Sequence, residues 1–278
     1  RNMLAYGAHL IGYEVDWVEP APILRAGLYW PGEDATDLAA LRAHWRADAP
    51  VAAVVFYRAL WQAANLAPVD ALIEALSGRG LNPLPVFAAS LKDALAGETI
   101  RQLFADAPPD VILNATGFAV SSPGATRRPT PFDGADCPVI QVVFSGGTEA
   151  AWQAGTVGLA ARDLAMNVVL PEIDGRIMSR AVSFKTEARF DPATETALVR
   201  YATVPDRINF VAALAGNWAR LRRAPAGERR VALILANYPN RDGRIGNGVG
   251  LDTPASTHDL LRALDAAGYH VPGLPTDG

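Results

Sequence analysis

Short apolar runs alternate with segments of helical periodicity over the first two thirds of the chain. Apolar runs of strand length predict strands at residues 26–30, 51–57, 81–88, 111–115, 139–144 and 167–170. Helical spacing of apolar residues predicts helices at residues 37–47, 69–76, 89–104 and 148–166, the last of which Gly155 and Gly158 can interrupt. Because alternating strands and helices form βαβ units, the pattern predicts an α/β fold with a doubly wound, mostly parallel sheet and flanking helices.

The pattern changes after Gly175. Residues 177–190 alternate loosely between apolar and polar side chains, which allows a hairpin, and a long helix is predicted at 204–223. An apolar run at 231–235 and a predicted helix at 253–267 have the pattern of the opening βα unit of a further α/β domain. We therefore divide the chain into an N-terminal helix and linker (1–25), a parallel-sheet α/β domain (26–203), a connecting helix (204–228) and the start of a second, truncated α/β domain (229–278).

A glycine-rich loop at residues 237–252 joins that last strand to that last helix. It is about three times as long as the usual connection between a strand and a helix. Long loops at the carboxyl end of parallel strands commonly bind ligands, so we interpret this loop as a ligand site. The alternative is an ordered loop without a ligand. A nicotinamide-dependent oxidoreductase is suggested only by the glycines, and their spacing differs from the dinucleotide-binding motif.

Composition and charge narrow the possible partners. Half of the 278 residues are hydrophobic, which excludes general disorder. The net charge of −4 and the pI near 5.6 argue against nucleic acid as a partner. The apolar runs are too short to span a bilayer, so we expect no membrane partner. Since Cys137 is the only cysteine, no intrachain disulfide can form, which suits the cytoplasm.

The motifs of several catalytic classes are missing from the sequence. The four histidines have no metal-ligand spacing, and we interpret them as surface or packing residues. The sequence contains neither the GxSxG motif of hydrolases nor the GxxxxGK[ST] motif of P-loop ATPases. We therefore do not expect this chain to hydrolyse ATP.

Polar and aromatic residues follow several of the predicted strands. Ligands of an open parallel sheet bind at the carboxyl ends of the strands. This rule selects Arg58, Phe118, Glu149, Glu172 and Asp174 as candidate site residues.

Glu172 is the candidate that we assign to catalysis. It comes directly after a predicted apolar strand, so we expect a half-buried carboxyl group whose lost hydration favours proton binding, as a general base requires. The alternative is a helix cap or an ion pair with Arg176 or Arg58. Asp174 and Glu149 are weaker candidates for catalysis, because the first lies in a turn sequence and the second in the first turn of a predicted helix.

Six long motifs of the sequence carry a resemblance to a known family. They are NYPNRDGRIGNGVGLDTPAS in the glycine-rich loop and, upstream of it, FYRALWQAANLAPVDALIEALSGRGLNPLPVFAASLKD, VILNATGFAVSS, PVIQVVFSGGTEAAW, VVLPEIDGRI and PDRINFVAALAGNWARL. Together they resemble the large, porphyrinoid-binding subunit of cobaltochelatase, a family related to the H subunit of magnesium chelatase. Members of the family are much longer, so we expect this chain to be a central fragment that is inactive alone.

The resemblance implies an activity for the intact protein. It would insert Co²⁺, the substrate metal, into the tetrapyrrole hydrogenobyrinic acid a,c-diamide in aerobic cobalamin synthesis, while AAA+ partner subunits hydrolyse ATP. Glu172 would act as the general base and as a transient metal ligand. The remaining predicted substrate-binding residues are Arg58, Phe118, Glu149, Asp174, Arg244 and Asn247, of which the two Arg and Asn247 would bind peripheral carboxylates or amides.

Two other functions remain open at this point. The chain can belong to a magnesium chelatase H-type subunit that inserts Mg²⁺ into protoporphyrin IX. It can also be a non-catalytic module that binds the tetrapyrrole or docks the ATPase subunits.

Overall fold

A seven-stranded sheet runs through the computed structural model, which describes residues 2–19, 23–33, 36–236 and 246–276. Five central strands are parallel, and one antiparallel strand lies at each edge, in the order β1-β3-β2-β4-β5-β6-β7. The strands are β1 (Ala26–Leu28), β2 (Val51–Tyr57), β3 (Asn82–Ala88), β4 (Val111–Asn114), β5 (Val139–Ser145), β6 (Ile177–Asp191) and β7 (Thr196–Thr203). The predicted α/β fold with a mostly parallel sheet is confirmed.

Helices cover both faces of this sheet. In the described residues they are α1 (Asn2–Leu10), α2 (Leu38–Ala43), α3 (Arg58–Gln62), α4 (Ala67–Gly78), α5 (Ala94–Asp106), α6 (Glu149–Ala154), α7 (Ala161–Leu164), α8 (Leu170–Ile173), α9 (Pro205–Arg223) and α10 (Thr253–Ala266). A π-helical segment, Ala165–Val169, joins α7 to α8. None of the described helices is long and apolar enough to cross a bilayer.

Strand β2 contributes to a separate hydrophobic core on each face of the sheet. Val54 and Phe56 pack in the core that α4 and α9 cover, whereas Ala53 and Val55 pack in the core that α2 and α5 cover. Successive side chains of a strand point to opposite faces, which explains why the whole run is apolar. Helix α9, predicted as a connection between domains, adds five buried residues to the first core. The division of the chain into four parts stays a prediction.

The predicted strand at residues 167–170 is wrong. These residues belong to the helical segment formed by α7, the π-helix and α8, and the strand that follows β5 is the longer β6. A four-residue apolar run fits a helix as well as a strand. Here the helix brings Asn167 beside Asp163, four residues earlier, and its Nδ2 lies 3.4 Å from the carboxylate. The hairpin that the sequence allowed after Gly175 is formed by β6 and β7.

The predicted strand at residues 231–235 is wrong as well. Residues 230–236 lie outside helices and strands, and the exposed fractions of the four large apolar residues among them range from 44% to 86%. A strand requires a neighbour to pair its backbone, and none of the described strands pairs with this run. The predicted helix after it is confirmed as α10, whereas residues 237–245 of the glycine-rich loop lie outside the described residues.

Candidate functional site

The topological switch point of the sheet lies between β2 and β4. These strands are neighbours, but the chain leaves β2 towards β3 on one side and leaves β4 towards β5 on the other. Diverging connections open a crevice at the carboxyl ends of the two strands. Tyr57 ends β2 at this point, and its hydroxyl group donates a hydrogen bond of 3.0 Å to the carbonyl oxygen of Gly117, which follows β4.

The loop after β4 holds an aromatic side chain in an unusual backbone conformation. Phe118 has a φ of +63° and is 45% exposed, although it is neither glycine nor asparagine. Its N–H donates to the carbonyl oxygen of Met166 in the π-helix at 2.7 Å. Gly117 fits there because a Cβ would lie 2.9 Å from Asn167 Oδ1 and 3.1 Å from the Met166 oxygen. Strained backbone and π-helical turns are both enriched at functional sites.

A buried ion pair fixes the loop that follows β4. The side chains of Asp174 and Arg176 are 1% and 2% exposed, and Oδ2 of Asp174 lies 3.2 Å from Nη2 of Arg176. Asp174 also accepts hydrogen bonds from the N–H groups of Val120 (2.7 Å) and Ser121 (3.0 Å). Since its carboxylate joins Arg176 to the loop, the loop is fixed by charge-assisted hydrogen bonds.

Arg176 also reaches the end of β4. Its Nη1 donates to the carbonyl oxygen of Thr116 (3.3 Å) and to Gln141 Oε1 (3.2 Å), while its buried Nε has no hydrogen-bond partner in the described residues. Burial lowers the pKa of Arg176, and Asp174 opposes that effect. An arginine remains charged even so, and the carboxylate of Asp174 balances that charge beneath the loop.

Tyr57 separates two clefts at this edge of the sheet. The smaller, of about 170 Å³, is lined by Phe118, Lys92 and Arg176. The larger, of about 470 Å³, lies towards β5 and β6. Burial raises the pKa of Tyr57, and the nearby Arg176 charge and the hydrogen bond to Gly117 lower it only in part. The hydroxyl group therefore stays protonated at neutral pH and acts as a donor.

The larger cleft contains a carboxylate that the sequence did not reveal as a site residue. Asp163 on α7 is 7% exposed and accepts hydrogen bonds from the Ser145 hydroxyl (2.6 Å) and the Gly146 N–H (3.0 Å). The predicted helix at 148–166 breaks at Gly155, as the glycines allowed, and α7 returns over the end of β5. In the sequence, only the break at the glycines indicated that α7 could fold back towards β5, because the approach of residues 145 and 163 depends on the tertiary fold.

A wider groove, of about 650 Å³, lies between α4 and α9. It is lined by Glu74, Arg79 and Asn209 and lies away from the carboxyl ends of the parallel strands. Position at the switch point, rather than size, therefore decides our choice of site.

Glu172 is exposed on α8, so the half-buried carboxyl group that we predicted is wrong. The reason is the helical conformation of residues 167–170, which places Glu172 on a helix surface instead of at a strand end. It is absent from the lining of both clefts. Its role as the general base stays a prediction.

The other predicted site residues divide into two groups. Phe118 and Asp174 come together with Tyr57 and Arg176 at the switch point. Arg58, the first residue of α3, donates to the carbonyl oxygen of Leu24 at 3.0 Å, and Glu149, the first residue of α6, accepts from Gln153 at 2.9 Å. Neither lines the two clefts.

Two predicted site residues lie in the glycine-rich loop. Arg244 is outside the described residues, and Asn247 lies just before the bridge between Gly248 and Leu251. The described part of the chain holds no group of three or more His, Cys, Asp or Glu that could bind a metal ion.

Comparison with known proteins relates the chain to chelatases. A model of the family described as CobN/Magnesium Chelatase matches residues 1–278. The chain is 49% identical to the aerobic cobaltochelatase subunit CobN of a Sinorhizobium species over 94% of its own length, and 46% identical to that of Pseudomonas aeruginosa over 96%. It covers 21% of each of these relatives.

A solved structure shares the fold over almost the whole chain. The catalytic subunit of cobaltochelatase from Mycobacterium tuberculosis matches with a TM-score of 0.75 and 30% sequence identity. The match covers 99% of this chain and 22% of that one. The chain thus spans about a fifth of the length of the proteins it resembles.

Proposed function

This chain belongs to the CobN/magnesium chelatase family, and we propose that it forms part of the large, tetrapyrrole-binding subunit of a cobaltochelatase. The intact subunit inserts Co²⁺, as substrate, into hydrogenobyrinic acid a,c-diamide in the cytoplasm. Partner AAA+ subunits hydrolyse the ATP that the reaction uses, since the chain has no P-loop motif. The 46–49% identity to two proteins named as cobaltochelatase subunits favours cobalt over magnesium.

The crevice at the switch point is the observation that carries this proposal. It offers the exposed aromatic ring of Phe118 beside the hydroxyl group of Tyr57 and the cation Lys92, with the buried Arg176–Asp174 ion pair below them. A conjugated macrocycle with acidic substituents fits this combination, because its faces can pack on an aromatic ring and its acidic edges attract a cation. We propose that Arg58, Arg244 and Asn247 bind peripheral carboxylates or amides outside the two clefts and that Glu149 is a further contact there. The buried Asp174 would act indirectly, by holding the loop of Phe118.

Metal insertion releases a proton from the macrocycle. A corrin binds cobalt as a monoanion, so Co²⁺ replaces its ring N–H proton and a base must accept that proton as the metal enters. We assign this role to Glu172, whose exposed carboxylate can pass the proton on to water. The same oxygens can hold the incoming Co²⁺ transiently, since carboxylates bind divalent cations.

A single substitution tests the assignment of the base. We expect Glu172→Gln in the intact subunit, assayed with its ATPase partners, to slow Co²⁺ insertion by about 100-fold or more, in line with typical contributions of general bases. The tetrapyrrole affinity should change less than threefold, because the amide keeps the shape of the side chain. Absorbance measures insertion, and fluorescence quenching measures binding.

Glu98→Gln is the matched control, because Glu98 is an exposed helical glutamate whose partner is Arg101 on α5. It should leave both values unchanged. Unchanged insertion by Glu172→Gln would reject the assignment of the base, and insertion of Mg²⁺ into protoporphyrin IX in preference to Co²⁺ would reject cobalt.

A further inference from the structure

Two cations in the larger cleft have no ionic partner. Lys185 on β6 and Arg162 on α7 both line it. Within the described ranges, neither side chain forms an ion pair or a hydrogen bond. Both residues are exposed, and their convergence on one cleft creates a positive potential that attracts an anion.

Asp163 lies in the same cleft but does not neutralise both cations. Its carboxylate accepts hydrogen bonds from Ser145, Gly146 and Asn167, at 2.6, 3.0 and 3.4 Å. Because those donors hold its carboxylate against the end of β5, two positive charges face one fixed negative charge. An excess of one positive charge remains for a ligand.

The backbone of Lys185 is fixed, and its exposed side chain has one aromatic neighbour. Its backbone N–H donates to the carbonyl oxygen of Gly147 at 2.9 Å, and its Nζ lies 5.9 Å from the centre of the Tyr201 ring. That distance is within the range of a cation–π contact, which limits the freedom of the long side chain. A cation that is already oriented loses less entropy when it binds an anion.

The walls of the cleft are largely apolar. Leu60, Phe144 and Met166 line it together with the rings of Tyr57 and Tyr201. Burial, and to a smaller degree Asp163, raises the pKa of Tyr201, so that its hydroxyl group stays neutral at physiological pH. Apolar walls with a few cations at defined positions suit a ligand that combines a hydrophobic body with a carboxylate.

We propose that the larger cleft binds a peripheral carboxylate of the tetrapyrrole, with Lys185 as its direct counter-ion and Arg162 as the second cation. This inference rests on the proposed function and adds a specificity determinant to it. The site would distinguish a free acid substituent from the corresponding amide, because only the acid satisfies the unpaired charge. Phosphate shares the chemistry of an anion, but it cannot use the apolar walls.

The test compares hydrogenobyrinic acid a,c-diamide, which carries free peripheral acids, with its fully amidated form, using the intact subunit and tryptophan fluorescence quenching. We expect Lys185→Gln to weaken binding of the acid by about tenfold, the usual size for a charge-assisted contact in a partly exposed site. Binding of the fully amidated form should change less than twofold. Lys185→Arg should retain most of the affinity, and Arg162→Gln should cause a smaller loss in the same direction.

Arg189→Gln is the matched control, because Arg189 is exposed on the same strand and its loss changes the net charge equally. It should bind both ligands like the wild-type protein. Equal affinity of wild-type and Lys185→Gln protein for the acid would overturn the inference while tetrapyrrole binding persists. Binding of inorganic phosphate that depends on Lys185, without such a dependence for hydrogenobyrinic acid a,c-diamide, would overturn it too. Failure of the wild-type protein to bind either tetrapyrrole would instead reject the proposed function, and the inference with it.

Discussion

Replacing Asp174 by Asn should release the loop that carries Phe118. The carboxylate of Asp174 pairs with Arg176 at 3.2 Å and accepts the N–H groups of Val120 and Ser121, and its side chain is 1% exposed. The amide oxygen can replace only one of the two carboxylate oxygens, so at least one of these three donors loses its acceptor, and the neutral amide cannot balance the guanidinium charge. The change therefore leaves a buried positive charge without a counter-ion.

The expected cost follows from that arrangement. Removing one partner of a buried ion pair costs about 3–5 kcal/mol. Asn retains one acceptor, so we take the lower end, about 3 kcal/mol, for the free energy of opening the loop. Each 1.4 kcal/mol changes an equilibrium constant tenfold, and the open state of the loop should become about 100-fold more populated.

Amide hydrogen exchange in the intact protein measures this opening directly. In Asp174→Asn, the amides of Val120 and Ser121 should exchange about 100-fold faster, while amides in the middle of β2 keep their rates. Glu98→Gln is the control, because the exposed pair with Arg101 is worth less than about 1 kcal/mol. If exchange at Val120 and Ser121 rises less than threefold in Asp174→Asn, the buried pair does not hold the loop and the reasoning fails.

Two further predictions concern strain and burial. Phe118→Gly should leave the free energy of unfolding unchanged or raise it by up to about 1 kcal/mol, because glycine tolerates the φ of +63°, yet weaken tetrapyrrole binding. Phe118→Ala keeps the strain, so it should weaken binding without any gain in stability. A gain in binding by the glycine variant would contradict a stacking role. Burial raises the pKa of the Cys137 thiol to about 12, so alkylation at pH 8, followed by mass spectrometry of its peptide, should be far slower than for an exposed cysteine. Since the folded-state pKa is the higher one, Cys137 should reduce the stability as the pH rises above its unfolded value of about 8.5, and rapid alkylation of the native protein would refute its burial.

Four of the five central strands could be predicted from the sequence because their signal is local. Strand β2 has the predicted bounds, and β3, β4 and β5 differ from theirs by one residue at one end. A run buried on both faces is apolar at every position, so neither pairing nor register needs to be known. The same local signal occurs at residues 167–170 and 231–235, which do not form strands. The first run is helical, and the second has no neighbour to pair with among the described strands.

The candidate site was harder to predict because it depends on contacts between distant residues. The strand-end rule selected Phe118 and Asp174, which lie at the switch point, although Asp174 was selected from a strand at residues 167–170 that does not form. It did not select Arg176, Asp163 and Lys185, which precede a strand, lie within a helix and lie within a strand, respectively. Their positions at the clefts depend on Tyr57 and the ends of β4 and β5, which only the folded sheet brings near them.

The positions of the exposed Glu172 and the buried Asp174 are coupled through the short turn that joins them. They are two residues apart, so their Cα atoms lie within about 7 Å of each other. The turn between them is closed by hydrogen bonds from the N–H of Gly175 to the carbonyl oxygen of Glu172 (2.9 Å) and from the N–H of Asp174 to that of Pro171 (3.1 Å). Whatever fixes Asp174 therefore also limits the position of Glu172 relative to the loop of Phe118. If Glu172 is the general base, Asp174→Asn should slow metal insertion by more than it weakens tetrapyrrole binding, because a base displaced by about 1 Å loses rate before the substrate loses contacts.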